Sequence, residues 1–184
     1  MSPKIKGDNV DTKNLFAGPR LRLSAPLSED AAIMASWTED SHYLRMVDTD
    51  IARPQSAQVL AEVPSGFEFR LRLLDDNRLI GFVALMGIEW ANRIGKMAIG
   101  IGDPESRGVG YGYEASALLL NYGFGELNLH RVGLDVIAYN KPAIGLYQKL
   151  GFQLEGRDRE AVCRDGVRYD LLRMGLLASE WRIG

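Results

Sequence analysis

The chain has one cysteine, two histidines and no apolar run long enough to span a bilayer. Cys163 alone cannot close an internal disulfide, and no Cys/His spacing matches a zinc site. The opening segment, MSPKIKGDNVDTKNLFAG, has no apolar centre, so it does not read as a secretory signal. Neither sign of charge dominates: 22 Lys and Arg stand against 24 Asp and Glu, a formal net charge of −2. That balance argues against a dedicated nucleic-acid binder, which would show a basic excess or stripe. What is present is an ordinary globular composition, 46% hydrophobic and 25% charged, over 184 residues. Such a length suits one well-packed domain and is short for two. The expectation is a metal-free cytoplasmic protein with neither nucleic-acid nor membrane partner.

Residues 1–18 read as a loose polar leader and 19–184 as a single domain. Alternating leucines predict a strand over 20–27, and helical spacing predicts a helix over 28–37 with Ser28 as N-cap. Residues 38–50 read as a linker with short helical pieces, and 56–63 as a short helix stopped by Pro64 and Gly66. The period then changes to two. Strands are predicted over 67–74 and 78–90 around Asp75-Asp76-Asn77, followed by a strand over 96–102. A helical stretch at 113–127, a strand at 130–139 and a helix at 140–150, begun by Pro142 and stopped by Gly151, come next. Strands over 152–163 and 167–177 flank Arg164-Asp165-Gly166, a hairpin turn signal. The order implies an α/β layout around a mixed sheet.

The segment SRGVGYGYEA, 106–115, lies between the strand 96–102 and the helical stretch. Its alternating glycines remove side chains that would hold a ligand away from backbone N–H groups, and a helix N-terminus favours anions. A nucleotide P-loop needs Lys-Ser/Thr after the last glycine, but Gly112 is followed by Tyr113 and Glu114. A dinucleotide fingerprint needs a small residue where Tyr113 stands, and it belongs at the start of a βαβ unit rather than after a hairpin.

What remains, Arg107-x-x-Gly110-x-Gly112 between strand and helix, resembles the pyrophosphate loop of the GNAT superfamily of N-acetyltransferases. The segments EWANR (89–93), IGDPESRGVGYGYEA (101–115) and the stretch 127–177 are similar to its RimJ/RimL branch, which includes polyamine acetyltransferases. Asn140, Leu146-Tyr147 and Gly151-Phe152 fall at the family's spacing. The resemblance implies a mixed sheet of seven strands flanked by helices and splayed between the fourth and fifth. It implies direct transfer of an acetyl group from acetyl-CoA to a primary amine, on a small molecule or a protein N-terminus. A homodimer is compatible with it. The backbone of Arg107, Gly108, Val109, Gly110, Tyr111 and Gly112 would hold the pyrophosphate, with a further charge-assisted bond from Arg107. The pantetheine arm would lie along Ile99, Gly100 and Ile101, and Asn140 would contact it while also suiting an N-cap. Tyr147 would protonate the departing thiolate, and Lys149 would approach the ribose phosphate or stand as a solvated surface lysine.

One position departs from the family. Where relatives carry a glutamate that helps remove the acceptor's proton, this chain has Lys96. For a lysine-like amine, deprotonation at pH 7 costs about 4.6 kcal/mol, so the loss matters. Glu89 is the nearest acid in sequence, water-mediated removal is equally open, and the base is unassigned. Lys96 favours a non-catalytic acyl-CoA-binding module, whereas Tyr147 favours an enzyme. Glu39, Asp40, Asp48 and Asp50 could attract a cationic acceptor or simply form a solvated loop.

Overall fold

The computed structural model describes residues 14–62 and 66–182. Seven strands form one sheet in the order β1-β2-β3-β4-β5-β7-β6. They are β1 (Leu21–Ser24), β2 (Phe67–Leu73), β3 (Leu79–Glu89), β4 (Ile94–Ile101), β5 (Arg131–Ile137), β6 (Gln153–Arg164) and β7 (Val167–Leu177). The helices are α1 (Asp30–Trp37), α2 (Ser41–Val47), α3 (Ala57–Leu60), α4 (Tyr111–Asn121) and α5 (Lys141–Leu150). All neighbouring strands run antiparallel except β4 and β5, which are parallel and joined through α4. Of the expected leader, residues 1–13 lie outside the described residues. Residues 14–18 turn back on β1, where Leu23 N donates to Phe16 O at 2.7 Å and the Phe16 ring meets Phe69 and Tyr122.

The two sheet faces are covered differently. Leu71, Val83, Leu85, Met97, Val132 and Leu134 point to the side of α4 and α5, where Leu119, Leu120, Tyr147 and Leu150 complete the main core. A smaller cluster of Trp37, Tyr43 and Leu79 lies under α1 and α2 on the opposite side. The alternation of β2 puts Arg70 and Arg72 on that second face, where α1 buries them to 3% and 6% exposure. Arg70 pairs with Glu68, and Asp30, 1% exposed, pairs with Arg72 and lies 3.9 Å from Arg70 Nε. The same carboxylate accepts Leu27 N at 2.8 Å in front of α1. Ser28 is therefore not the cap; Glu29 occupies that position with no side-chain bond, and Asp30 holds the entry from inside the first turn.

The stretch 38–50, expected as a linker with short helical pieces, carries one regular helix, α2. Asp40 caps it, accepting His42 N and Tyr43 N. The expected helix 113–127 begins two residues earlier, at Tyr111, and its α-helical part ends at Asn121, followed by a wider turn over Tyr122–Glu126.

Candidate active site

Hydrogen bonding between β4 and β5 stops early. The pairs are Ile94 with Arg131, Gly95 with Val132 and Lys96 with Gly133; beyond them the strands separate. β4 remains paired to β3 as far as Ile101, and β5 to β7 as far as Ile137. The sheet therefore opens as a wedge whose narrow end is Lys96 and Gly133. The edge of β4 that faces the wedge from 97 to 101 has backbone groups available to an extended ligand. Ile99, Gly100 and Ile101 lie along it, where the sequence reading put the pantetheine arm.

At the wide end of the wedge the chain turns through Pro104–Ser106 into the glycine loop and α4. The three glycines are not equivalent. Gly108 and Gly110 have φ of +77° and +95°, in the left-handed region that costs a residue with a Cβ roughly 1–2 kcal/mol. Gly112 has an ordinary φ and faces Leu146 Cδ2 of α5, 3.4 Å from where a Cβ would stand, an ordinary contact distance. The loop thus aims the first free N–H groups of an eleven-residue helix outward.

Arg107 sits in the loop, but its guanidinium is committed elsewhere. Nε donates to Ile101 O at 3.1 Å, Nη2 to Gly102 O at 2.7 Å and Nη1 to Asp40 at 3.1 Å, and the group lies over the Tyr43 ring. It braces the end of β4 against α2 instead of reaching toward an anion. The cation over the loop is Arg20, from the start of β1. Its Nη1 donates to Val109 O at 3.0 Å, its guanidinium lies 4.7 Å from the Tyr111 ring centroid, and it pairs with Glu114 of the first helical turn. Arg20 was missed because it lies 87 positions before Arg107 in the chain, and only the β1 position beside α4 brings it there.

Asn140 caps α5 through Ala143 N, as its residue type suggests, and its amide nitrogen donates to Met46 O at 2.9 Å. Tyr139 OH donates to Arg45 O beside it. Tyr147 of α5 is buried against Phe152, and burial pushes its hydroxyl up to about 12. Lys149 Nζ lies over the Tyr113 ring at 4.7 Å from its centroid, joining α5 to α4. Lys96 points from the narrow end of the wedge to the face of α2, where Nζ meets Asp135 Oδ2 at 2.7 Å. Glu89, the other acid considered, is bound to Asn92 Nδ2 at the far end of β3.

Among the described residues no group of His, Cys, Asp and Glu could hold a metal ion, and no helix is long and apolar enough to cross a membrane.

Residues 20–153 match the family model described as an acetyltransferase (GNAT) domain. The SPbeta prophage-derived uncharacterized N-acetyltransferase YokL of Bacillus subtilis is 29% identical over 173 residues, covering 91% of this chain and 96% of that one. Spermidine N(1)-acetyltransferase of Escherichia coli K12 is 28% identical over 161 residues, covering 88% and 82%. Among solved structures, spermidine N-acetyltransferase of Vibrio cholerae in complex with CoA and spermine superposes with a TM-score of 0.80 at 26% identity, covering 89% and 98%.

Proposed function

The chain belongs to the GNAT acetyltransferases, and from that premise we propose that it transfers acetyl groups to a primary amine, on a small molecule or a protein N-terminus, in the manner of the RimJ/RimL branch. It is an acetyltransferase, and its co-substrate is acetyl-CoA. The observation that carries the reading is the wedge between β4 and β5, which ends at Lys96 and Gly133 and opens toward the glycine loop. An extended arm can pair with the free edge of β4 at Ile99, Gly100 and Ile101. The N–H groups of residues 108–112 suit a pyrophosphate, with charge from Arg20, which lies over the loop, in place of Arg107, whose guanidinium is turned to Ile101, Gly102 and Asp40. Asn140 holds the start of α5 and so sets where Tyr147 stands. Lys149 extends the same helix toward the mouth of the loop through its contact with Tyr113.

Acetyl-CoA supplies the acetyl group already activated as a thioester. As the amine nitrogen bonds to the acetyl carbon and the C–S bond breaks, the Tyr147 hydroxyl gives its proton to the sulfur, the proton shed by the nitrogen passes to water, and the Tyr147 phenolate regains a proton from water. A phenol pushed up to about 12 is a weaker acid than a free one. The burial that raises it acts in the same direction on a thiolate released into the same space, so the two remain usefully matched.

The test is to incubate the protein with acetyl-CoA and a panel of amines while following free thiol. Thiol release that depends on an amine supports the reading. CoA bound without amine-dependent release from any member of the panel contradicts it.

A further inference from the structure

The wedge between β4 and β5 is crossed by side chains at both ends. At the narrow end Lys96 Nζ reaches over to Asp135 Oδ2 at 2.7 Å. At the wide end α2 lies across it, tied to the β4 side by Arg107 with Asp40 and to the β5 side by Asn140 with Met46 O. Lys96, Ala98 and Gly100 share one face of β4 by the period of two. Over Gly100 stands the Tyr43 hydroxyl, 2.7 Å from where a Cβ would be. What remains open between Lys96 and Tyr43 is a window over Ala98.

Beside the window, on the same face, is a cleft of about 390 Å³ with Ala84, Met86, Glu68 and Lys96 in its walls. Its charges are already matched. Glu68 binds Arg70, and Asp135 binds Lys96. The Lys96–Asp135 pair is the looser of the two, with side chains 63% and 31% exposed against 4% and 11% for Arg70 and Glu68. An exposed pair of this kind is worth about 0–1 kcal/mol and exchanges partners easily.

We propose that Asp135 is the carboxylate that binds the acceptor's ammonium group, and that Lys96 holds that place until the acceptor displaces it. This assignment rests on the transferase reading above and narrows its substrate class. The acceptor is an amine with a single cationic head and an apolar body. The head meets Asp135 at the window, and the body lies over Ala84 and Met86. A linear polycation gains one carboxylate here and finds Glu68 held by a buried arginine. The wedge position expected for an acid on β4 is thus served from β5, with the lysine as its partner.

The experiment is calorimetric titration of the CoA-saturated protein with 2-phenylethylamine and with spermidine, alongside thiol release from acetyl-CoA. The unmodified protein binds 2-phenylethylamine more tightly than spermidine. Asp135→Asn weakens 2-phenylethylamine by about tenfold or more, since a charge-assisted bond is lost. Lys96→Met strengthens it by about threefold, because a surface competitor is removed, and KM falls by that factor with kcat little changed. A pair with only a structural role makes both variants lose affinity together, and that result overturns the proposal. Tighter binding of spermidine by the unmodified protein overturns it as well. Binding that follows Asp135 and Lys96 in opposite directions, with no thiol released, upholds the site and removes the transferase reading.

Discussion

Asp40 and Arg107, 67 positions apart, are joined at 3.1 Å through Oδ2 and Nη1, while Oδ1 of the same carboxylate caps α2. The Arg107 hydrogen bond, with Tyr43 N next, holds the Asp40 carboxyl below its usual value. One side chain therefore fixes both the start of α2 and the brace at the end of β4. Asp40→Ala should lower stability by about 0.5–2 kcal/mol, the usual range for a lost N-cap. Asp40→Asn, which can still accept from His42 and Tyr43, should lose less. Urea unfolding of the two variants checks the order, and equal losses would mean that the cap contributes nothing.

Asp30 carries a larger stake. It is the countercharge of buried Arg72 and lies 3.9 Å from Arg70, which pairs with Glu68, and Arg70 Nε and Arg72 Nε are already without hydrogen-bond partners. Removing one member of a buried ion group costs about 3–5 kcal/mol, because the remaining charge is stranded. Asp30→Ala should therefore destabilise severely, by more than any single surface ion pair. Denaturant unfolding that shows a loss below about 1 kcal/mol would place water, or Glu68 itself, beside Arg72 in the stead of Asp30.

The glycine loop separates two effects. Gly110→Val forces a branched side chain into φ +95° and toward Arg20 Nη2, 3.3 Å from the Cβ position, so CoA affinity should fall strongly. Arg20→Ala should weaken CoA more than Arg107→Ala does, because Arg20 lies over the loop and Arg107 does not. Isothermal titration with CoA gives the ranking. A larger loss from Arg107→Ala would return the phosphate contact to the residue the family pattern suggests.

Much of this architecture can be read from residue order alone. The period of two in 67–73 and 79–89, Pro142 and Gly151 around α5, and Asp165-Gly166 between β6 and β7 are local signals, and local signals mark local structure. The wedge came from the family resemblance rather than from periodicity, since strand separation depends on which neighbour each strand finds. Arg70 and Arg72 show the limit clearly. Their alternation with Phe69, Leu71 and Leu73 identifies a two-faced strand, yet it does not say that α1 and Asp30 cover the charged face. Helix α2 is legible only as a short helical piece within 38–50, because its seven residues are mixed in polarity and much of its support is tertiary: Arg107, Tyr139 and Asn140 all reach it from elsewhere. The pairing of Lys96 with Asp135 was equally hidden, as the two are 39 positions apart.

Burial raises two tyrosines, Tyr43 and Tyr147, to about 12, against an ordinary value of 10.0. A folded-state pKa above the unfolded one contributes stability that is complete below pH 10 and is lost as pH rises toward 12. Ultraviolet titration should show these two phenols ionising after the exposed ones, with unfolding setting in over the same range. Turnover should show no loss from Tyr147 ionisation below about pH 10, since the hydroxyl keeps its proton there. Ionisation of all phenols together near pH 10 in the folded protein would contradict the burial.

The most direct measurement of the central claim is the kinetics of Tyr147→Phe with acetyl-CoA and an accepted amine, beside its thermal stability and its affinity for CoA. The substitution keeps the ring against Phe152 and removes only the hydroxyl. If that hydroxyl protonates the departing thiolate, kcat should fall by about 10²–10⁴, the usual contribution of a positioned acid. Affinity for CoA should change by no more than one hydrogen bond is worth, about 0.5–1.5 kcal/mol, and the melting temperature should hold within a few degrees. A stable variant that turns over at the rate of the unmodified protein would contradict the account.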